Sequence, residues 1–313
     1  MTSNSSATAA PARAWPAMSI KEVEAVLCAP GARFEMETRN IRGVAIRTWK
    51  NSPKTLAELA AIGRGHGQRL FTIYEDERVT FDAWHRATAA LAKELQRLGV
   101  SKGDRVAIAM RNLPEWPVAF FAATTIGAIV VPLNAWWTGQ ELSYGLSNAG
   151  VKVLVCDVER WDRIGAHQSE LPDLAHVLVS RAERALSPPA RKLEDMIGAP
   201  MSWASLPDAA IPVVALDPED DATIFYTSGT TGNPKGALGT HRNITTNIFS
   251  SAYAAARACL RRGDAPPAPT PKVGLTVIPL FHVTACSAGM MTAVFAGNTT
   301  IFMRKWDTIQ AFE

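Results

Sequence analysis

Short apolar segments alternate with helical patterns along most of this chain of 313 residues. The segments are rich in valine, isoleucine and alanine, and such nearly continuous apolar runs are typical of strands buried on both faces. Buried parallel strands need helices to connect them and to cover the sheet. The alternation therefore predicts an α/β fold of mostly parallel sheets flanked by helices, with strands at residues 105–110, 128–132, 151–156, 176–180, 222–226, 273–279 and 299–303.

The helices between these strands carry recognisable end signals. Thr80 and Thr138 are suitable N-caps, and Gly99 is a suitable C-terminal stop. Two proline-rich stretches with little periodicity, residues 187–218 and 261–272, are predicted to be loops. The predicted helices cover residues 81–98, 115–126 and 140–148.

Charge and hydropathy exclude two classes of partner. The chain has 32 basic and 29 acidic residues, a formal net charge of +3 and no long basic run, so no nucleic-acid partner is expected. The most apolar stretch, residues 118–131, is too short for a bilayer crossing, which takes about 20 residues. A buried helix that leads into a buried strand explains this stretch, and we predict no integral membrane segment.

The cysteines and the N-terminus indicate a cytoplasmic protein. The four cysteines are too far apart for a CxxC pair, so neither a zinc site nor a redox motif is indicated and no metal ligands are predicted. Reduced thiols are typical of cytoplasmic proteins. Residues 1–17 are rich in serine, threonine, alanine and proline, which predicts a disordered tail rather than a secretory signal. Arg13 and the lack of acidic residues there leave an organellar transit segment as the alternative.

One loop combines glycines, hydroxyl groups and a lysine directly after a predicted buried strand. Residues 226–236 read Tyr-Thr-Ser-Gly-Thr-Thr-Gly-Asn-Pro-Lys-Gly. Glycines allow the backbone N–H groups to converge on an anion, and a lysine supplies a mobile positive charge. Lys235 lies between a proline and a glycine, so the loop is not a Walker A motif. The pattern predicts a phosphate site built from Thr227, Ser228, Gly229, Thr230, Thr231, Gly232 and Lys235; a polar loop without a ligand is the alternative.

This loop resembles the phosphate-binding signature of the adenylate-forming superfamily of acyl-CoA synthetases, luciferases and peptide-synthetase adenylation domains, and it matches at every specified position. Residues 79–110, 127–134 and 278–285 resemble further blocks of the same family in the same order. The resemblance runs from about residue 56 to the end. It implies that the loop holds the β- and γ-phosphates of ATP, and that residues 18–313 form a partial N-terminal adenylation domain without the C-terminal domain.

His282 is the candidate catalytic residue. A lone histidine after a buried strand is more often structural, but the resemblance implies a position beside the reacting carboxylate and the acyl pocket. A carboxylate is already ionised at neutral pH, so we expect His282 to orient the acid rather than to act as a base. Peptide-synthetase domains usually have Phe-Asp-x-Ser here, whereas this chain has Phe281-His282-Val283-Thr284. An α-amino acid is therefore less favoured than a fatty or aromatic acid.

The resemblance implies a two-step reaction. A carboxylic acid and ATP, with Mg²⁺, would give an acyl adenylate, and coenzyme A would then give an acyl-CoA. Because the blocks that the family places later are absent, we expect this chain alone not to complete the reaction. Two alternatives remain open: a non-enzymatic module that binds a nucleotide phosphate or a partner protein, and a different adenylating enzyme such as a peptide-synthetase domain.

Trp136 and Trp137 are predicted to serve in core packing or a domain contact rather than in an exposed binding surface.

Overall fold

The computed structural model describes residues 15–227, 232–266 and 268–312. The chain separates into a smaller unit, Met1–Ser52 with Phe249–Pro269, and a larger unit, Pro53–Ile248 with Thr270–Glu313. The predicted disordered tail falls mostly on residues 1–14, outside the described part, and stays a prediction. That residues 18–313 form one partial domain also stays a prediction.

The smaller unit contains an aromatic cluster. The Phe34 ring lies edge-on to Trp49, Phe249 and Tyr253, with ring centroids 5.6 to 6.1 Å apart. The Trp49 indole also donates to Ser250 Oγ at 3.1 Å. Edge-to-face contacts of this kind stabilise a pair beyond its buried area. The elements of this unit are α1 (Ile20–Leu27), the antiparallel hairpin β1 (Met36–Ile41) and β2 (Val44–Trp49), and the part of α8 (His241–Arg262) that follows Ile248.

The larger unit contains two sheets. In the seven-stranded sheet the order is β11-β10-β6-β5-β7-β8-β9, and in the four-stranded sheet it is β12-β13-β3-β4. Among the described strands of these two sheets, only the pairs β10–β11 and β3–β4 are antiparallel, so the prediction of mostly parallel sheets is confirmed. The strands are β3 (Leu70–Tyr74), β4 (Glu77–Thr80), β5 (Arg105–Ala109), β6 (Ile129–Pro132), β7 (Val151–Asp157), β8 (His176–Ser180), β9 (Ala190–Lys192), β10 (Asp221–Thr227), β11 (Lys235–Thr240), β12 (Val273–Thr276) and β13 (Thr299–Phe302).

Helices cover the sheets, as the α/β prediction requires. Thr80 and Thr138 accept hydrogen bonds from the first turns of α3 and α5, which confirms both predicted caps. Every residue of α4 is buried, so the apolar stretch 118–131 is a core helix followed by a core strand. No helix within the described residues is both long and apolar enough to cross a membrane. The helices are α2 (Leu56–Arg64), α3 (Phe81–Arg97), α4 (Glu115–Thr125), α5 (Gly139–Asn148), α6 (Val158–Ile164), α7 (Glu194–Ile197), α8, α9 (Met291–Ala296) and α10 (Thr308–Phe312), with 3₁₀-helices at Gly165–Glu170 and Pro200–Ser205 and a π-helix at Thr284–Met290.

Two predictions were wrong in part. Residues 187–218 are not a simple loop, because they contain β9, α7 and a 3₁₀-helix. Pairing of β9 with β8 at the sheet edge orders this segment, and local periodicity does not report such pairing. Residues 273–279 were predicted as a buried strand, but β12 ends at Thr276 and is mostly exposed. Its position at the end of the four-stranded sheet explains that exposure.

A charged network joins the two sheets of the larger unit. Arg181, directly after β8, donates to both carboxylate oxygens of buried Glu115 at 2.9 and 3.1 Å. It also donates to Glu77 of β4 at 2.8 Å and lies 5.1 Å from the centre of the Tyr74 ring. Since one guanidinium serves two carboxylates, burial dominates and raises the pKa of Glu115 to about 7.

The contribution of Glu115 to the free energy of unfolding is expected to fall as the pH rises from about 5 to about 8. A carboxyl whose folded pKa lies above its ordinary value of 4.5 stabilises the fold below that value, and the contribution is lost as the pH rises through the folded pKa. Replacing Glu115 with glutamine removes this titration. The free energy of unfolding, measured with urea at several pH values, should then fall by about 3 kcal/mol less across this interval than it does in the wild type. Glu94→Gln is the matched control. The hydrogen bond from Arg97 lowers the pKa of Glu94, so this carboxyl titrates below the pH interval and its loss should not change the slope there. Parallel pH profiles for the wild type and Glu115→Gln would contradict the assignment.

Candidate active site

A β-hairpin positions the predicted phosphate loop. Thr227 ends β10, Lys235 begins β11, and the two residues lie opposite each other in the antiparallel ladder. Thr227 Oγ1 donates to the Lys235 carbonyl at 3.4 Å, and Lys235 is exposed. The structure thus brings the two ends of the predicted site together. Ser228, Gly229, Thr230 and Thr231 lie outside the described residues, and their predicted roles stay predictions.

Two glycines of the hairpin are required by its geometry. Gly232 has a φ of +113°, a backbone conformation that residues with a side chain rarely adopt. At Gly236 an added Cβ would lie 2.7 Å from Ile224 Cγ2 on the neighbouring strand. The first glycine therefore serves the turn, and the second allows β10 and β11 to pair closely.

Two tyrosines hold the base of the hairpin against α5. The Tyr226 hydroxyl donates to Asn148 Oδ1 at 2.7 Å, and the Tyr144 hydroxyl donates to the Pro234 carbonyl at 3.2 Å. The Trp137 ring lies edge-on to Tyr226, with the centroids 5.7 Å apart. Burial raises the pKa of Tyr226 to about 12, so its phenol stays a neutral donor.

His282 lies just before the π-helix Thr284–Met290. Its side chain is exposed, and its Nδ1 accepts a hydrogen bond from the Thr284 backbone N–H at 3.3 Å. When the ring accepts at Nδ1, its proton is on Nε2. His282 can therefore donate one hydrogen bond through Nε2. The strand before it is exposed, so the expectation that His282 follows a buried strand was wrong.

A cleft of about 620 Å³ lies between the hairpin, α8 and the π-helix. Thr227 of the predicted phosphate site lines it together with Val283 and Thr284, the residues that follow His282. The side chains of Lys235 and His282 are not part of its wall. The lining residues that the structure describes carry no charged group; they are Thr223, Phe225, Thr227, Ala237, Leu238, Gly239, Asn243, Ile244, Asn247, Val283, Thr284, Ser287 and Ala288. We call this space the acid cleft.

A second cleft, of about 430 Å³, contains cations and tryptophans. The Arg111 guanidinium lies 5.3 Å from the centre of the Trp136 ring, and Trp136 lies edge-on to Phe281 at 5.2 Å. Trp136 is 55% exposed and does not pack in the core, so the other part of that prediction, a domain contact, stays a prediction for it. Its neighbour Trp137 packs against the core of the seven-stranded sheet. The lining consists of Arg111, Asn112, Trp136, Val277, Pro279, Met303, Arg304, Lys305 and Trp306. We call this space the cationic cleft.

Asn112 holds the segment that leads to His282. Its Nδ2 donates to the carbonyls of Thr276 and Ile278 at 3.3 and 3.1 Å, and its Oδ1 accepts from the Leu280 N–H at 2.8 Å. The residue is nearly fully buried after β5. Sequence reasoning missed this role. The only available signal was a lone asparagine beyond a buried parallel strand.

Arg160 holds the loop that carries Trp136. Its side chain is fully buried, pairs with Asp157 at 2.8 Å and donates through Nε to the Ala135 carbonyl at 2.8 Å. Asp157 also accepts from the Arg111 backbone N–H at 3.1 Å. Buried ion pairs persist only with such supporting hydrogen bonds. The network was also missed by sequence reasoning, since nothing in the pattern of α6 indicates a buried arginine.

The buried thiol of the π-helix is not activated as a nucleophile. Burial raises the pKa of the Cys286 thiol on the π-helix, so it stays protonated. No group of three or more His, Cys, Asp or Glu side chains in the described residues could hold a metal ion.

Comparison with known proteins places this arrangement in a family. Residues 59–313 match the model of the family described as AMP-binding enzyme. The chain is 32% identical over 240 residues to crotonobetaine/carnitine–CoA ligase of Salmonella paratyphi C (strain RKS4594), which covers 72% of this chain and 43% of that protein. It is 30% identical over 232 residues to 4-coumarate–CoA ligase 2 of Oryza sativa subsp. japonica, covering 71% of this chain and 37% of that protein.

The fold is similar to that of a solved domain. The inhibitor-bound N-terminal domain of FACL13 from Mycobacterium tuberculosis superposes with a TM-score of 0.67 at 24% identity, covering 83% of this chain and 60% of that one. At this identity the likeness concerns the fold alone. The chain spans less than half the length of the two curated relatives, the crotonobetaine/carnitine–CoA ligase and the 4-coumarate–CoA ligase.

Proposed function

The chain belongs to the AMP-binding enzyme family, and on that premise we propose that it forms part of an ATP-dependent acid–CoA ligase. The carboxylate oxygen of the acid attacks the α-phosphorus of ATP, the bond to the β-phosphate breaks, and pyrophosphate leaves. The sulfur of coenzyme A then attacks the acyl carbon, loses its proton and releases AMP. The observation that carries the proposal is the hairpin that brings Thr227 and Lys235 together beside the acid cleft.

The hairpin is proposed to hold the β- and γ-phosphates of ATP. Lys235 is exposed and can reach an anion, Thr227 offers a hydroxyl at the edge of the cleft, and Gly232 turns the backbone between them. Pyrophosphate gains negative charge as it leaves, and a preorganised cation with backbone N–H donors lowers the energy of that state. Ser228, Gly229, Thr230 and Thr231 are proposed to complete the site.

His282 is proposed to orient the acid. Its Nε2–H can donate to a carboxylate oxygen while Nδ1 is occupied by the Thr284 N–H. A hydrogen bond at this position fixes the direction of attack without removing a proton. Catalysis then depends on positioning, which can account for many orders of magnitude in rate.

The acid cleft favours a fatty or aromatic acid. Phe225, Ile244 and Val283 supply apolar surface, and none of the described lining residues carries a carboxylate. An α-ammonium group would be left there without a partner, and an unpaired charge is costly to bury. This argues against an amino acid substrate and so against the peptide-synthetase alternative.

The cationic cleft supports coenzyme A as the acceptor. Arg111, Arg304 and Lys305 can bind phosphate oxygens, and Trp136 and Trp306 offer flat faces for a base. Mg²⁺ is usually held by substrate phosphates together with one or two carboxylates, so we propose that it enters the site with the phosphates of ATP. The four cysteines are free, which supports the proposed cytoplasmic location.

Replacing Lys235 with alanine is expected to lower kcat/KM for ATP by about 10- to 100-fold, because a hydrogen bond to a charged group contributes about 1.5 to 3 kcal/mol. The measurement is acid-dependent ATP–pyrophosphate exchange by the enzyme as its cell produces it, with a panel of fatty, aromatic and amino acids. Lys93→Ala, at an exposed position on α3, is the control.

Unchanged exchange in the Lys235→Ala protein would refute the phosphate assignment. ATP binding without exchange for any acid would favour the non-enzymatic module. Exchange with amino acids alone would favour the peptide-synthetase alternative.

A further inference from the structure

A cavity of about 320 Å³ lies among α2, α3, the end of α4 and the extended segment 210–214. None of its lining residues belongs to the acid cleft or the cationic cleft. Its walls are mostly apolar, with Ala57 and Ala61 on one side and Ile211, Pro212 and Val214 on the other. This volume and composition are typical of small-molecule sites, which have apolar walls and a few convergent polar groups.

His85 is the first polar group of the cavity. The residue lines the cavity and is 4% exposed, and its Nδ1 has no hydrogen-bond partner in the part of the chain that the structure describes. A buried polar atom without a partner costs about 1 to 3 kcal/mol, so a ligand that bonds to it is favoured. Burial, with a smaller contribution from the charge of Arg64, lowers the pKa of His85 to about 4, which leaves the ring neutral.

Arg64 is the second polar group. It lines the cavity and pairs with Asp208 at 2.7 Å, but 40% and 48% of the two side chains are exposed. An exposed ion pair contributes about 0 to 1 kcal/mol, so an incoming carboxylate can replace Asp208 at little cost. The guanidinium would then bond to the new carboxylate through charge-assisted hydrogen bonds.

We propose that this cavity is a second binding site, which takes a small monocarboxylate with an apolar body. The carboxylate replaces Asp208 on Arg64 and also accepts a hydrogen bond from Nδ1–H of the neutral His85 ring, and the apolar body lies between α2 and segment 210–214. The site is separate from the proposed active site and does not depend on it.

The test uses benzoate as the probe and the ring ¹⁵N and ¹H signals of His85 as the readout, in the purified protein. Benzoate should shift these signals in a saturable way, and neutral benzamide should bind at least tenfold more weakly. Arg64→Gln should weaken benzoate binding at least tenfold, whereas Asp208→Asn should strengthen it, because the competing carboxylate is gone. Ala61→Phe, which narrows the cavity, should abolish the shift.

His282→Ala separates this site from the proposed active site. The proposal requires that the His85 shift persists in that variant with unchanged affinity, whatever happens to adenylate formation. Loss of the shift in His282→Ala with retention in Arg64→Gln would overturn the proposal. The absence of any saturable shift at His85 in the wild type would overturn it as well.

Discussion

Replacing Arg160 with methionine should lower the free energy of unfolding by about 3 to 5 kcal/mol, because it leaves the buried Asp157 carboxylate without its cation. The change also removes the hydrogen bond to the Ala135 carbonyl, which fixes the loop before Trp136. Methionine has a similar volume, so lost packing contributes little. Urea unfolding monitored by circular dichroism measures the effect.

Arg184→Met is the matched control. Arg184 also pairs with an aspartate, Asp162, but more than half of each side chain is exposed. An exposed pair of this kind contributes about 0 to 1 kcal/mol. The prediction is contradicted when Arg160→Met lowers the free energy of unfolding no more than Arg184→Met does. Adding Asp157→Asn to Arg160→Met should recover part of the loss, since the uncompensated charge is then absent.

The second large effect is expected at Asn112. Alanine there removes three hydrogen bonds and leaves the buried Leu280 N–H without an acceptor. At about 1 kcal/mol per hydrogen bond, plus the cost of unsatisfied groups, the loss in unfolding free energy should be about 3 kcal/mol or more. Hydrogen exchange at the Leu280 amide should accelerate. KM for the acid should rise more than KM for ATP, because the segment leads to His282.

The control for Asn112 is Asn298→Ala. Asn298 Oδ1 accepts a single hydrogen bond, from the Lys272 N–H at 2.9 Å, in an exposed setting. We expect about 1 kcal/mol or less for that variant. Equal losses at the two positions, or an unchanged exchange rate at Leu280, would show that Asn112 does not hold the segment.

The central part of the fold was predictable because local and tertiary preferences agree there. The capped helix α3 and the apolar strands β5, β7 and β8 were found within one or two residues of their observed bounds. Their patterns follow from burial on two faces, which a single sequence records directly. The edges were not predictable in this way, and β9 and β12 are the examples. An edge strand is ordered by one neighbour, and its own residues need not be apolar.

The part of the candidate site that could be predicted is the part whose functional residues are adjacent in the sequence. The phosphate loop could be identified because its glycines, hydroxyls and lysine are contiguous in sequence. The antiparallel strand β11 was missed, since the glycines of Lys235–Thr240 read as a loop. The supports of the site, Asn112 and Arg160, act on segments about 25 to 168 residues away in sequence. No local pattern contains such contacts.

The outer edge of β12 affects how this protein behaves in concentrated solution. Among the described residues β12 pairs only with β13, and its exposed residues include Val273 and Leu275. Unpaired backbone groups beside apolar side chains are a template for a strand from another molecule. The net charge of +3 gives only weak repulsion between copies. Colloidal stability should therefore depend on whatever covers this edge, and low protein concentration should favour the monodisperse state.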